Sequence, residues 1–351
     1  VLPHSLRGAA VLLISVFMAT APTVVVMPSP RLPLEQNGGT WASGHVQGIA
    51  VDVKGGYLYY SFTHLLAKYD FSGKLIGTLV GWKGHLGDLD FNSIDGKVYG
   101  SLEYGDDKAF YIAVIDVNQL DRIGVEASRS GILRAVYLPE VVKDFIDHRY
   151  GCSGIDGVSF GPAFGHIDGP RYLTVAYGIY GDIERNDNDQ QVLVQYDIGD
   201  WKKYAQPLNE LDLHHNGPGT SQGKYFVRTG NTTYGVQNLS YDDTLKRWFM
   251  GVYPGKKKSF PNYLLFAVDA RTQPTQGRLL KLADDGLKDA ATGVRGWNQK
   301  ADVGFQPVGH GLYYLSVNSG TQSAQTADLT LMRWTGDANK PFVPAKTEEI
   351  R

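Results

Sequence analysis

The chain has 351 residues, a formal net charge of -2, 42 glycines, 12% aromatic residues and a single cysteine, Cys152. One cysteine rules out an internal disulfide framework, and a pI near 6.5 leaves no basic excess to displace counterions from a nucleic-acid backbone. The length suits one large all-β domain, a class that often exceeds the usual single-domain size.

At the N-terminus Arg7 precedes an apolar run from Ala9 to Met18, and Ala19-Thr20-Ala21 has the small-x-small form of a cleavage site. Residues 1–21 are therefore expected to be a signal peptide cut between about 21 and 33, and the protein to be secreted or periplasmic. The run is too short to span a bilayer comfortably, so no stable membrane insertion is expected. Residues 34–351 are read as one domain.

From there a five-residue phrase returns five times: His45-Val-Gln47-Gly48-Ile49, His85-Leu-Gly87-Asp88-Leu89, Gly154-Ile-Asp156-Gly157-Val158, Gly235-Val-Gln237-Asn238-Leu239 and Gly304-Phe-Gln306-Pro307-Val308. Each opens a unit of short aromatic and β-branched runs with Gly punctuation. In the first unit Gly48 to Asp52 is followed by Tyr57 to Phe62, Leu65 to Asp70 and Lys74 to Val80. The second gives Leu89 to Phe91, Lys97 to Tyr104, Phe110 to Asp116 and Leu133 to Leu138; the third Gly157 to Phe160, Tyr172 to Gly178, Gln191 to Asp197 and Lys224 to Thr229. The fourth reads Val236 to Asp242, Arg247 to Tyr253, Tyr263 to Asp269 and Arg278 to Leu282. The fifth reads Phe305 to Val308, Leu312 to Val317 and Asp328 to Trp334, and lacks a strand that a segment near either terminus would supply. This pattern predicts an all-β chain with few helices, folded as a β-propeller of five four-stranded blades, with a seven-bladed ring as the alternative.

Aligning the phrases puts His45, His85, Gly154, Gly235 and Gly304 in one ring and Gln47, Gly87, Asp156, Gln237 and Gln306 in the next, on the same side of their strands. Val46, Leu86, Ile155, Val236 and Phe305 then point between blades. A polar ring facing the axis either satisfies itself or lines a ligand site at the mouth of the channel. Further polar residues gather nearby: His64, Glu103 with Tyr104, His148-Arg149-Tyr150, Arg185, Tyr234 and His310.

Three chemistries compete for them. A metal-free Brønsted site uses a neutral His or a Tyr as base and an Arg to stabilise an anion, from His64, His85, Arg149 and Tyr150. A transition-metal site would draw on His45, His85 and Asp88 or Asp156, since imidazole with carboxylate suits such ions. A calcium site would use the alternating oxygens of Asp187, Asn188 and Asp189, although the Gly and terminal Glu of a helix-loop-helix site are missing. Asp88 and Asp156 also make a carboxylate pair for glycoside hydrolysis, without a third inner-strand acid. No nucleophile elbow, phosphate-cradling loop or dinucleotide fingerprint is present. Cys152 reads as a small packed residue and Lys256-Lys257-Lys258 as a solvated loop.

The exported propeller, the histidines His64 and His85 and the later Arg149-Tyr150 together resemble the β-propeller polysaccharide lyases of uronic-acid glycans, the ulvan lyase and rhamnose-glucuronate lyase type. The resemblance implies β-elimination across C4–C5 of a uronate, with a His or Tyr taking the C5 proton and an Arg neutralising the carboxylate. The leading expectation is a secreted carbohydrate-active enzyme of lyase type. His64, His85, Arg149 and Tyr150 would be catalytic, with His45, Gln47, Asp88, Tyr104, His148, Asp156, Arg185, Tyr234, Gln237, Gln306 and His310 on an anionic glycan. No cofactor is required by this reading, a structural or channel Ca²⁺ being an option, and no nucleic acid is expected. The alternatives are a non-catalytic glycan- or protein-binding propeller and a metal-dependent hydrolase of lactonase, esterase or glycosidase type.

Overall fold

The computed structural model describes residues 30–321 and 323–350, so the expected signal segment lies outside the described residues. The protein is all-β, with 49% of residues in strands and 9% in helices, and it forms the five-bladed propeller that the repeated phrase predicts.

Alternate residues of a strand face opposite sides, so a blade flanked by two others must be apolar on both faces. Blade 1 (Val46–Asp52, Tyr57–Phe62, Leu65–Asp70 and Leu75–Val80) obeys this closely. Its Ala50, Tyr59, Leu66 and Leu79 join the core shared with blade 2. Their neighbours Ile49, Leu58, Tyr60 and Ala67 join the core shared with blade 5. Blade 2 comprises His85–Asn92, Lys97–Tyr104, Ala109–Ile115 and Leu133–Tyr137. Blade 3 comprises Cys152–Pro162, Arg171–Ile179, Gln190–Tyr196 and Gly223–Arg228. Blade 4 has Thr232–Asp242, Arg247–Pro254 and Leu265–Asp269. Each inner strand packs against the next, and the fifth, Phe305–Gly309, returns to the first.

Blade 5 continues with Leu312–Thr321 and Ala324–Trp334 and is completed by both ends of the described chain. Glu35–Trp41 pairs with Ala324–Trp334 over most of its length, and Phe342–Pro344 pairs with the same strand at Met332 to Trp334. The missing fourth strand therefore comes mainly from the segment before blade 1. The outer edge of blade 4 departs from the sequence reading. Leu279–Leu280 runs parallel to Phe226 and Val227 of blade 3, and among the described residues blade 4 is edged by isolated pairings of Leu265 with Trp297 and Val268 with Leu282. The expected strand Arg278 to Leu282 is thus split between two blades.

Side chains as well as strands close the disc. The apolar residues of the five phrases, Val46, Leu86, Ile155, Val236 and Phe305, are all buried, as their alternation requires. At the axis the backbones approach so closely that a Cβ on Gly48 would lie 2.6 Å from the Asp88 Cα. Asp88, 2% exposed, accepts the backbone N–H groups of Val158 (3.0 Å) and Leu239 (2.8 Å) and the Asn238 amide (3.0 Å). The same Asn238 amide donates to the Gln47 carbonyl at 2.8 Å. One carboxyl group thereby ties blade 2 to blades 3 and 4, and Asn238 carries the link to blade 1.

Candidate metal centre at one mouth of the disc

Four inner strands carry a β-bulge just after the apolar residue of the phrase: pairing shifts between Val46 and Gly48, Leu86 and Leu89, Ile155 and Val158, and Val236 and Asn238. A bulge re-aims the residue it inserts, and Gln47, Asp156 and Gln237 line a cavity of about 330 Å³ at the mouth where the inner strands begin. The fifth inner strand pairs regularly through Phe305, Gln306 and Pro307, its shift coming only after Pro307. Gln306 is accordingly not brought to this mouth. Its amide donates to Asp90 at 3.2 Å and it lines a separate cavity at the opposite face.

The cavity is also lined by His45, His85, Glu103, Ser153, Tyr180, Tyr234 and Tyr253. His85 and Glu103 stand directly opposite each other on the first hairpin of blade 2, with His85 Nδ1 3.6 Å from Glu103 Oε2. Asp156 comes from blade 3, and Gly87 leaves room for it, since a Cβ there would sit 3.2 Å from Asp156 Oδ1. One ligand atom from each of His85, Glu103 and Asp156 lies within 4.8 Å of the others. No Lys or Arg lines this cavity among the described residues.

Neighbouring groups fix the set. Glu103 Oε1 accepts the Ile155 N–H at 2.5 Å. Asp156 Oδ2 accepts the Gln237 amide at 2.9 Å, and that amide also donates to the Tyr234 carbonyl at 2.8 Å. His45 Nδ1 lies 2.8 Å from the Val46 carbonyl and its Nε2 3.1 Å from the Gln47 amide nitrogen. An amide nitrogen only donates, so His45 is the Nδ1–H tautomer with Nε2 as acceptor.

Burial pushes the Glu103 carboxyl up to about 8, opposed by the Ile155 N–H. The Asp156 carboxyl is raised well above its ordinary value, by burial first and then by Glu103, while His85 and the Gln237 amide pull it down. Tyr253 is likewise raised, by burial and then by Asp302 and Asp156. Two carboxyls held together where burial limits their hydration take up either protons or a cation.

The remaining expected site residues lie elsewhere. His64 is exposed on the blade 1 hairpin, with Nδ1 on the Gly84 carbonyl at 3.0 Å. Tyr104 is buried and its hydroxyl donates to Glu210. Arg149 pairs with Asp144 (3.6 Å) and Asp147 (3.1 Å), beside the helix Pro139–Ile146. Tyr150 packs on Phe226 with ring centroids 5.2 Å apart, and its N–H donates to Asp187 at 3.0 Å. Arg185 clasps Asp187 at 2.7 Å and the His148 carbonyl at 2.8 Å. His310 occupies an exposed hairpin turn at the opposite face. None of these lines the cavity.

The oxygens of the Asp187-Asn188-Asp189 run are also committed. Lys257, expected in a solvated loop, instead inserts its ammonium between Asn188 Oδ1 (2.9 Å) and Asp189 Oδ1 (2.5 Å), and it also meets the Arg185 carbonyl. The lysine occupies the place a calcium ion would take there. Cys152 is buried and burial pushes its thiol up to about 12, the behaviour of a packed residue.

Tyr180, Ser153 and Tyr253 complete the mouth together with Glu103, which the sequence reading named beside Tyr104 but gave no role. Glu103 was legible in principle: mirroring His85 across the Asp95-Gly96 turn, with one residue allowed for the bulge, lands on it. Tyr253 faces Thr233 in the corresponding hairpin of blade 4, where no short turn motif marks the register.

The chain is similar in structure to the Dos1 propeller (9% identity, TM-score 0.34, covering 85% of this chain and 69% of that one). It is similar also to Kuenenia stuttgartiensis hydrazine synthase (12%, 0.38, 82% and 64%) and to U3-55K (12%, 0.37, 82% and 81%). No family model matches the chain, and no curated protein does.

Proposed function

We propose that this mouth binds one divalent transition-metal ion through His85, Glu103 and Asp156 and that the protein is a metal-dependent hydrolase of lactone, ester or glycoside bonds in sugar-sized substrates. The observation that carries the reading is the convergence of one imidazole and two carboxyls, Asp156 buried and Glu103 half-buried, within 4.8 Å at a cavity that no Lys or Arg lines among the described residues. Three protein ligands leave coordination positions open for water and substrate. A metal held there would supply Lewis acidity, activating a water and polarising a carbonyl or acetal oxygen. The chain's own part is positional: the Ile155 N–H orients Glu103, the Gln237 amide orients Asp156, and both bonds hold the carboxyls against rotation. Tyr180 and Tyr234, each about half exposed (48% and 52%), offer flat faces to a sugar ring at the rim.

Uronate elimination is the second reading. It needs a cation over the substrate carboxylate, and with Arg149 outside the cavity that charge would come from the metal. The Nε2 of His45 would serve as proton acceptor. Metal analysis of protein stripped by chelator and reloaded with Zn²⁺ or Mn²⁺ tests both readings. One ion per chain is expected, lost in His85→Ala and in Asp156→Asn. Reloaded protein is then assayed on lactones, aryl esters and aryl glycosides for hydrolysis and on uronate glycans for the ultraviolet absorbance of a new conjugated double bond. Failure to retain a stoichiometric ion in the wild-type chain sinks the metal site.

A further inference from the structure

The opposite face holds a second cavity of about 450 Å³, in the cleft between blades 2 and 3, with the reverse character. Its walls are aromatic and aliphatic: Tyr99 and Phe160 meet edge to face at 4.9 Å and 87°, and Trp201, Val114 and Ile198 complete the apolar lining. Four cationic side chains, Lys97, Arg134, Arg171 and Lys202, line it against two carboxylates. Both carboxylates are exposed and hydrogen-bonded locally, Asp95 taking the Tyr99 hydroxyl at 2.7 Å and Asp197 the Gly199 N–H at 2.9 Å, so the lining keeps more positive than negative charge. Arg171 is engaged by Asp243 (2.9 Å) and the Phe160 carbonyl (2.7 Å). Arg134 spends Nε and one terminal nitrogen on the Ala205 carbonyl. Lys97 and Lys202 make no ion pair among the described residues.

We propose that this cleft is a binding site for a small aromatic carboxylate, its ring between Tyr99, Phe160 and Trp201 and its anionic group on Lys97 and Lys202. The volume fits one small organic molecule, and a mostly apolar pocket with a few convergent charges is the ordinary form of such a site. Aromatic walls favour a flat guest in offset or edge contact. The surplus of unpaired positive charge selects an anion, in contrast to the metal mouth, whose lining carboxyls select a cation.

The test is titration of the full chain with 2-naphthoate and with its neutral counterpart 2-naphthamide, read by calorimetry and by quenching of tryptophan fluorescence. One naphthoate per chain is expected, bound about tenfold more tightly than the amide. Val114→Trp, which fills the cleft, should abolish binding of both. The surface double variant Lys97→Ala/Lys202→Ala should reduce naphthoate to the affinity of the amide while leaving the amide unchanged, and it keeps the test intact if the tryptophan variant does not fold. Equal affinity for the two compounds, unchanged naphthoate binding in the double variant, or no saturable binding overturns the proposal.

Discussion

Burial raises the Glu103 carboxyl from 4.5 to about 8, and that shift fixes the sign of a pH effect on stability. Below 4.5 the folded and unfolded chains are both protonated and the contribution is fully present. Between 4.5 and about 8 the unfolded chain has released its proton while the folded one holds it, so stability falls as pH rises through the window. Asp156 shifts in the same direction. The metal-free protein should therefore melt at progressively lower temperature across this range, and Glu103→Gln should flatten the slope. A metal competes with the same protons, so added Zn²⁺ should raise the melting temperature strongly near the top of the window and little at its foot. Thermal melts of wild type and variant at matched ionic strength check this, and a metal effect independent of pH would contradict it.

At the scale of the element, the strand Glu35–Trp41 is decisive because, among the described residues, it is the one long partner that Ala324–Trp334 has on its outer side. It contributes a side-chain clasp as well, Asn37 Nδ2 to Asp328 Oδ1 at 2.7 Å. Removing residues up to Leu34 takes away the carbonyls of Pro33 and Leu34, which accept the Tyr314 hydroxyl and the Leu331 N–H, and the Leu32 and Leu34 side chains that pack on the core, and should lower the melting temperature while leaving the transition cooperative. Removing residues through Trp41 should expose a sheet edge and give aggregation or a broad, non-cooperative transition, measured by scattering and circular dichroism. The need for such a strand was readable, because the fifth unit is one strand short while the others repeat in full. The axial ring was readable too, because Gln47, Asp156 and Gln237 recur at one offset in the phrase. What the phrase hid was the bulge: an insertion in the pairing leaves no residue signature, so Gln306 aligns with the others yet is not brought to their mouth. Arg149 and Tyr150 mislead for a related reason, since a residue beside an inner strand in sequence is still free to pack on Asp144 and Phe226 at the flank.

For the molecule as a whole, the mouth lined by His85, Glu103 and Asp156 and the cleft lined by Lys97 and Lys202 lie on opposite faces of a disc whose axis is filled by Asp88, Asn238 and their partners. Asp88→Ala leaves two buried backbone donors, of Val158 and Leu239, without the carboxylate that accepts them and removes one of the bonds of the Asn238 amide, and should lower stability by about 2 kcal/mol or more. It should also weaken metal binding, because Val158 lies two residues beyond Asp156 on the strand that Asp88 pins. Chemical denaturation and metal titration of the variant measure both effects, and an unaltered denaturation midpoint would show that the axial clasp is dispensable.

The first and last described strands share one partner on the outer rim of blade 5. Any cargo, tag or solid support joined through either strand therefore hangs from a single point on the circumference, edge-on, leaving both flat sides of the wheel open to solvent. A short peptide joining those two strands would also permit the backbone to be cut in an inter-blade loop instead, with the rim seam made continuous.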